Sequence, residues 1–498
     1  MRPSASRWLR RLAAGLFIGS AVLATWVVWN ARDRNPNYQG HLRLRPSRAA
    51  GTLQVGFGRR RITPSLDRPV WLAGFGRGRR ATAIHDDLWA VASVIDDGEH
   101  RLGLVVLDAI GLYHDQVVAV RRRVSAEAHL DYVIVASTHN HSAPDVMGIW
   151  GPHAIRSGVD PVYRDALVTR AAAALDDAVG ALAPAQMSLL EIPMPTEGLV
   201  ADSRPPHVFD ATLRVMHFTV PAVGATIGSI VNWANHPETP WAQNTEVTAD
   251  FPGYLRELLA DGVTVEGRSV APGLGGTHIY VNGAIGGLMT TDPDTAVTDP
   301  FENRTFAVPS HEKARAVGRR LGHAVLGAVQ ARAATNAEAT PRLTIAAETL
   351  ELRLDNVLFR AAAGLGVIER GQPRWNRIRT EVSVIRLGDA TMICVPGELY
   401  PEIANGGIVH PPGADFDTRP VEVPSLRDLA PGRVTFLFGL ANDEIGYIIP
   451  KSQWDDHSPW LDGAPERPYG EINSLGPETG PDLHRALVDV MADAADAR

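Results

Sequence analysis

The chain has 498 residues, 45% hydrophobic and 21% charged, with a formal net charge of −8. That composition suits a globular protein with an ample core and excludes a disordered or fibrous chain. Residues 1–34 hold six Arg and one Asp, which leaves −13 for the remainder. Such an acidic body argues against nucleic acid as a partner, since that affinity comes from basic patches that neutralise phosphates.

At the N-terminus, Arg7, Arg10 and Arg11 precede an uncharged run from Leu12 to Trp29, 18 residues long. That is the short end of what spans a bilayer and longer than most signal-peptide cores. No clean small-x-small cleavage site follows, and Trp26 and Trp29 suit a membrane interface. The reading is a signal anchor over 1–30, with the Arg-rich end cytoplasmic and the body exported to the periplasmic or extracellular face. A cleaved signal peptide is the rival. Residues 31–50, rich in Arg, Pro and Asn, read as a tether. The body, 51–498, has a single cysteine, Cys394, and so no intrachain disulfide.

Within the body the predicted elements run in order. A strand at Leu102–Leu107, a helix at Gln116–Ala128 and a strand at Tyr132–Ala136 form a βαβ unit with parallel pairing. A helix covers Tyr163–Leu182. Ala211–Val220 and Ala225–Trp233 form an antiparallel pair, followed by a strand at Ile279–Asn282 and a helix at His311–Ala331. A hairpin of Glu381–Leu387 and Thr391–Val395 turns at Gly388-Asp389. Val434–Leu440 is another strand and Asp482–Ala494 a closing helix. The fold class is α/β: one large mixed-sheet domain with flanking helices, preceded by one membrane-anchor helix.

Chemistry gathers where these strands end. Tyr132–Ala136 runs into Ser137-Thr138-His139-Asn140-His141-Ser142, and strand alternation would project His139 and His141 from one face. Two such imidazoles can bind a metal together, or one can bind while the other moves protons; ordinary hydrogen-bonded loop histidines are the alternative. Further polar clusters follow other strands: Asn232 to Glu238, Asn282 to Gly287, Pro396 to Tyr400 and Asn442 to Tyr447. No local HExxH or CxxC occurs, so any metal must be assembled from distant segments.

Taken as an ordered set, these segments resemble the catalytic domain of the neutral ceramidase family, zinc amidohydrolases that cleave the amide of N-acylsphingosine. The family's Thr-His-x-His-Ser-x-Pro is matched by Thr138 to Pro144, and its Asn-Trp-x-x-x-His, at one residue shorter spacing, by Asn232 to His236. Its Asp-x-x-Gly-Tyr is matched by Asp250 to Tyr254, its Pro-Gly-Glu by Pro396 to Glu398, and its late tyrosine motif by Tyr447 to Pro450. The resemblance implies Zn2+ held by His139, His236, Glu398 and Tyr447. It implies a proton-transfer or metal-supporting role for His141, and a hold by Arg204 on the substrate's polar head or the oxyanion. The implied reaction is attack on an N-acyl amide, possibly of a sphingolipid-like lipid, by water that the metal activates. An ester-specific enzyme, or a non-catalytic binding protein of the same fold, is the alternative.

Two departures bear on the substrate. Where the family has Gly-Asp-Val-Ser-Pro-Asn, this chain has Ala284 to Met289, with Ile285 and Gly287 at the acidic and serine positions. The family's C-terminal β-sandwich has no counterpart. Partners implied are a small-molecule or lipid substrate and a membrane.

Overall fold

The computed structural model describes residues 4–46, 51–287, 289–331, 338 and 340–495. Three sheets share one apolar core. The first runs Tyr132–Ser137, Arg101–Leu107, Trp89–Asp96, Gln54–Arg61 and Ala183–Pro184 in spatial order. Its first two strands are parallel, with Leu102 opposite Tyr132 and Leu107 opposite Ser137, as the βαβ reading requires. The second is Thr277–Asn282, Thr226–Trp233, Thr212–Thr219 and Gln186–Pro193. The third is His41–Leu44 (β1), Leu343–Arg353, Arg377–Leu387, Ala390–Cys394 and Val434–Phe438.

One face of each sheet meets in a common cluster that includes Ile134, Met216, Ile230, Ile279, Ile385, Met392 and Phe436. Helices cover the outer faces. Val117, from α2 (His114–Arg123), and Leu167 and Leu175, from α3 (Pro161–Gly180), pack on the first sheet. Phe251 and Leu255 of α4 (Asp250–Asp261) and Val317 and Leu321 of α5 (His311–Ala331) pack on the second. The final helix, Thr479–Ala495, buries Leu483 and Leu487 on the third. Each central strand is therefore apolar on both sides, which is why the sequence shows continuous apolar runs rather than alternation.

Local sequence sets the ends of these elements. Asp160 accepts a hydrogen bond from Val162 N (2.9 Å) and Pro161 starts α3, the usual chemistry of a helix N-terminus. The helix expected over Gln116–Ala128 stops at Arg123; Ser125 then caps a separate 3-10 turn, Ala126–Ala128. In α1 (Ser4–Ala31) the Trp8–Ala31 portion, 24 residues, is long and apolar enough to cross a membrane, and residues 8–26 of it are exposed.

The expected tether is corrected by the structure. Within 31–46, β1 pairs antiparallel with Leu343–Arg353, His41 opposite Glu348. Asp33 accepts both terminal nitrogens of Arg379 at 2.8 Å, and Tyr38 donates to the fully buried Glu381 at 3.1 Å. The polar composition that resembles a linker is here a set of partners for buried charges. Residues 47–50 of that expected segment lie outside the described residues.

Candidate metal centre

The C-terminal ends of the central strands are stitched together at one point. Asn282, closing the Thr277–Asn282 strand, donates through Nδ2 to the carbonyls of Thr138 and Asn235, each at 3.0 Å, while its Oδ1 accepts from Asn235 N (3.1 Å). One buried amide thus fixes the loop of His139 against the loop of His236. The His141 N–H donates to the Pro237 carbonyl (3.0 Å), a second tie between the same loops. The third contributor is a two-residue parallel bridge that sets Glu398 beside Tyr447 as register partners.

His139 and His141 do meet, although not by strand alternation. The strand ends at Ser137, and His139 adopts a left-handed backbone, φ 67°, that turns the chain. The rings of His139, His141 and His236 lie 4.9 Å (139–141), 4.9 Å (139–236) and 5.5 Å (141–236) apart between centroids. One ring nitrogen from each lies within 4.8 Å of the others, so this buried group can hold a metal ion.

Hydrogen bonding decides which nitrogens face inward. His139 Nδ1 contacts the Ile110 carbonyl at 2.7 Å and His236 Nδ1 the Met289 carbonyl at 2.8 Å. A carbonyl only accepts, so both Nδ1 atoms carry the proton, and in the neutral ring Nε2 is a bare lone pair. Those Nε2 atoms point at one carboxylate oxygen, Glu398 Oε2, from 3.4 Å (His139) and 3.1 Å (His236). Three lone-pair atoms converge on one point, an arrangement that needs a cation between them, whether proton or metal. The donor set and the carbonyl contacts behind it fit a metal-binding imidazole pair.

Burial penalises the Glu398 charge, but His139 and His236 outweigh it and hold the carboxyl well below the ordinary range. Burial likewise works against a charged His236, yet its bond to Glu398 and the charges of Glu238 and Glu398 raise its pKa.

His141 stands apart. Its Nδ1 lies 3.0 Å from Glu238 Oε2, outside good hydrogen-bond alignment, and both of its ring nitrogens are buried without a hydrogen-bond partner. Burial, against the pull of Glu238, lowers its pKa to about 4, while burial of Glu238 is outweighed by His141 and His236 and its pKa falls to about 2. A neutral ring therefore faces an ionised carboxylate. Gly74 closes over that ring: its φ is +97°, and a Cβ there would fall 2.3 Å from His141 Cγ.

Gly74, His139, His141 and Glu398 line a cavity of about 110 Å³ with Tyr113, Trp150 and Phe359. Glu444 lines it too, its Oε2 buried without a partner; burial, then the Glu398 charge, raise its carboxyl well above the ordinary range. Tyr447 forms one wall, and its phenol is pushed far up by burial and by Glu398. Tyr447 and Tyr469 are shared with a larger chamber of about 540 Å³, lined by Pro205, Pro206, Pro411 and Leu461.

Arg204 belongs to that second chamber, and there it has a carboxylate of its own. Its two terminal nitrogens bind Glu471 at 2.7 Å each, and they also reach Tyr400 OH (3.1 Å) and the Gln453 carbonyl (2.9 Å). Those nitrogens are occupied, which leaves no ready hold on an oxyanion. Gly287 also opens onto the second chamber rather than the histidine cavity, and its φ of +72° is one a serine would strain to adopt.

Sequence reasoning named the clusters holding Asn282, Glu238 and Glu444 without giving those residues roles. For Glu238 a signal was available: a carboxylate two residues beyond a candidate ligand histidine.

Compared with solved structures, the chain has the fold of neutral ceramidase. The crystal structure of neutral ceramidase from Pseudomonas aeruginosa matches with a TM-score of 0.65 and 16% identity, over 90% of this chain and 75% of that one. A ceramidase complexed with C2 matches with a TM-score of 0.65 and 15% identity, over 89% and 75%. No protein-family model and no curated protein sequence matches the chain.

Proposed function

We propose that the protein is a membrane-anchored, zinc-dependent amidohydrolase acting on an N-acylated, sphingolipid-like lipid, with its body on the exported face. The observation that carries this reading is the pair of histidines whose Nδ1 protons are spent on backbone carbonyls while both Nε2 lone pairs meet Glu398. His139, His236 and Glu398 would hold the ion, with Tyr447, the register partner of Glu398, as the fourth donor. Two neutral imidazoles, a carboxylate and a phenol oxygen are donors that zinc accepts. When bound, such an ion supplies Lewis-acid activation of water and of the amide carbonyl.

The rest of the chemistry falls to the chain's own residues. His141, neutral at pH 7, takes a proton from the attacking water at Nε2, and the Glu238 carboxylate at Nδ1 steadies the charged ring. The same nitrogen then passes that proton to the departing amine. The histidine cavity holds the amide, and the larger apolar chamber across Tyr447 and Tyr469 takes an alkyl chain. Arg204, fixed by Glu471, keeps the Tyr400 wall of that chamber in place. The solved structures that share the fold are named as ceramidases, which favours an N-acyl lipid over other amides.

The three imidazole donors within 4.8 Å also support a second reading, in which His141 is itself a ligand. Metal affinity separates the two: His141→Ala keeps zinc in the first and loses it in the second. The function is tested by N-acylsphingosine hydrolysis before and after chelation. Activity that disappears with the metal and returns with zinc supports it, and full activity in metal-free protein overturns it.

A further inference from the structure

Helix α6 (Val357–Leu365) turns the wrong side outward for a protein surrounded by water. Its buried residues are Ala363 and Gly364, while Val357 (65% exposed), Leu358 (64%) and Leu365 (44%) face out together with Ala361. Those four share one side of the helix by spacing. A surface helix normally presents charge there. The only charged residue in α6, Arg360, is instead folded back to donate to the Asp355 carbonyl (3.2 Å).

What lies beside that face is the end of α1. Val27 packs on Gly364 so closely that a Cβ there would sit 3.2 Å from Val27 Cγ1. Trp26 Nε1 donates to the Leu365 carbonyl (3.2 Å), and Asn30 Nδ2 to the Gly364 carbonyl (3.1 Å). The chain then enters the body at once: the Ala31 carbonyl accepts from Gln372 N (3.1 Å), and Asp33 pairs with Arg379. A free linker of twenty residues could have reached on the order of 65 Å. With residues 31–46 seated, no such reach exists.

The depth of α6 follows from helix geometry. The uncharged run Leu12–Trp29 is about 27 Å long at 1.5 Å per residue, close to the thickness of a bilayer's hydrocarbon core. Trp26 and Trp29 thus fall at one interface, with the Arg32 guanidinium 3.9 Å from the Trp29 ring, as a cation at headgroup level would sit. Because Trp26 bonds to Leu365, the end of α6 is at that same level.

We infer that α6 lies in the headgroup zone of the bilayer that α1 crosses, as an in-plane apolar contact between the body and lipid. Phe359, on the same helix, lines the histidine cavity, so the contact sets one wall of that cavity at the lipid surface. The inference rests on α1 being a retained anchor and needs no catalysis.

The test uses the full chain in phosphatidylcholine vesicles. With the buried Cys394 replaced (Cys394→Ala), Leu358→Cys and Leu365→Cys are each labelled with an environment-sensitive fluorophore. Val223→Cys, at a 73% exposed position in the turn between the Thr212–Thr219 and Thr226–Trp233 strands, is the control. Labels on α6 should emit blue-shifted and be quenched several-fold more by headgroup-region nitroxide lipid than by aqueous iodide, with the control reversed. Iodide quenching of the α6 labels equal to the control, in vesicles that hold the protein against salt, would overturn the docking while leaving the anchor intact. Protection from both quenchers would mean that protein covers the face, and would overturn it too. Release of the chain from vesicles by salt would remove both the anchor and the inference.

Discussion

Removing the Arg121 charge should cost more stability than any surface change in this protein. Arg121 donates to Glu381 at 2.7 Å and 3.0 Å, and Glu381 is fully buried. Tyr132 OH (2.6 Å) and Tyr38 OH (3.1 Å) donate to it as well, and His114 Nε2 lies 3.8 Å from its Oε2. Burial penalises the carboxylate, but the Arg121 charge outweighs it and holds the carboxyl well below its ordinary 4.5. A depressed acid stabilises the fold above pH 4.5, and that contribution is lost as pH falls below it. In Arg121→Met the packing of the stem is largely kept while the buried Glu381 loses its guanidinium partner and keeps only two phenol donors and the more distant His114 ring. Breaking one side of such a pair costs about 3–5 kcal/mol, against a total stability of about 5–15 kcal/mol. The lone carboxyl then rises in pKa through burial, so it escapes the penalty by taking a proton, and the loss should shrink between pH 7.5 and pH 5. Adding Glu381→Gln to Arg121→Met should recover much of the loss at pH 7.5 and little at pH 5. Urea unfolding of residues 31–498, followed by tryptophan fluorescence, measures all of this. A loss under about 1 kcal/mol at pH 7.5, or one independent of pH, would refute the reasoning. The effect should extend to the histidine cavity, because Arg121 also donates to Asn442 Oδ1 (3.1 Å), at the start of the loop that carries Glu444 and Tyr447.

Glu402→Gln should act in the opposite direction. Burial raises the Glu402 pKa to about 7, so folded protein keeps a proton that the unfolded chain releases near 4.5. Stability therefore falls as pH rises from 4.5 to 7, by at most about 3 kcal/mol, and Gln should raise the melting temperature at pH 8 and leave it unchanged at pH 4. Deleting residues 1–30 should give a water-soluble body with native unfolding, whereas deleting 1–46 should destabilise it by several kcal/mol, since β1, Asp33 and Tyr38 leave together; equal melting of the two would show that 31–46 is a linker after all. Catalysis should survive Cys394→Ala and leave no acyl-enzyme in a quenched reaction, because Cys394 is buried in a strand and its thiol is pushed up to about 12 by burial.

The sequence made the order of the elements readable because most are strongly patterned. Helix His311–Ala331 and the Thr212–Thr219/Thr226–Trp233 pair lie within a residue or so of their expected bounds. It also drew attention to the candidate site: His139, His141, Glu398 and Tyr447 line one cavity, and the His236 ring stands 4.9 Å from that of His139. The means was different from the expectation: His139 reaches the site through a left-handed turn, a local conformation that alternation does not encode. Polar composition misled at residues 31–46, where Asp33 and Tyr38 are partners of charges more than 300 residues away. The roles of Asn282 and Glu238 were hidden for the same reason, because a buried amide or carboxylate has meaning only once its distant partners are in place.

The central claim is that His139, His236 and Glu398 hold a catalytic zinc ion, and metal content of the purified protein tests it most directly. After dialysis against a competing chelator and re-loading with zinc, the wild-type chain should retain one zinc, while His139→Ala, His236→Ala and Glu398→Ala should each retain far less and His153→Ala should match wild type. Equal zinc in His139→Ala and wild type under that competition would contradict the account.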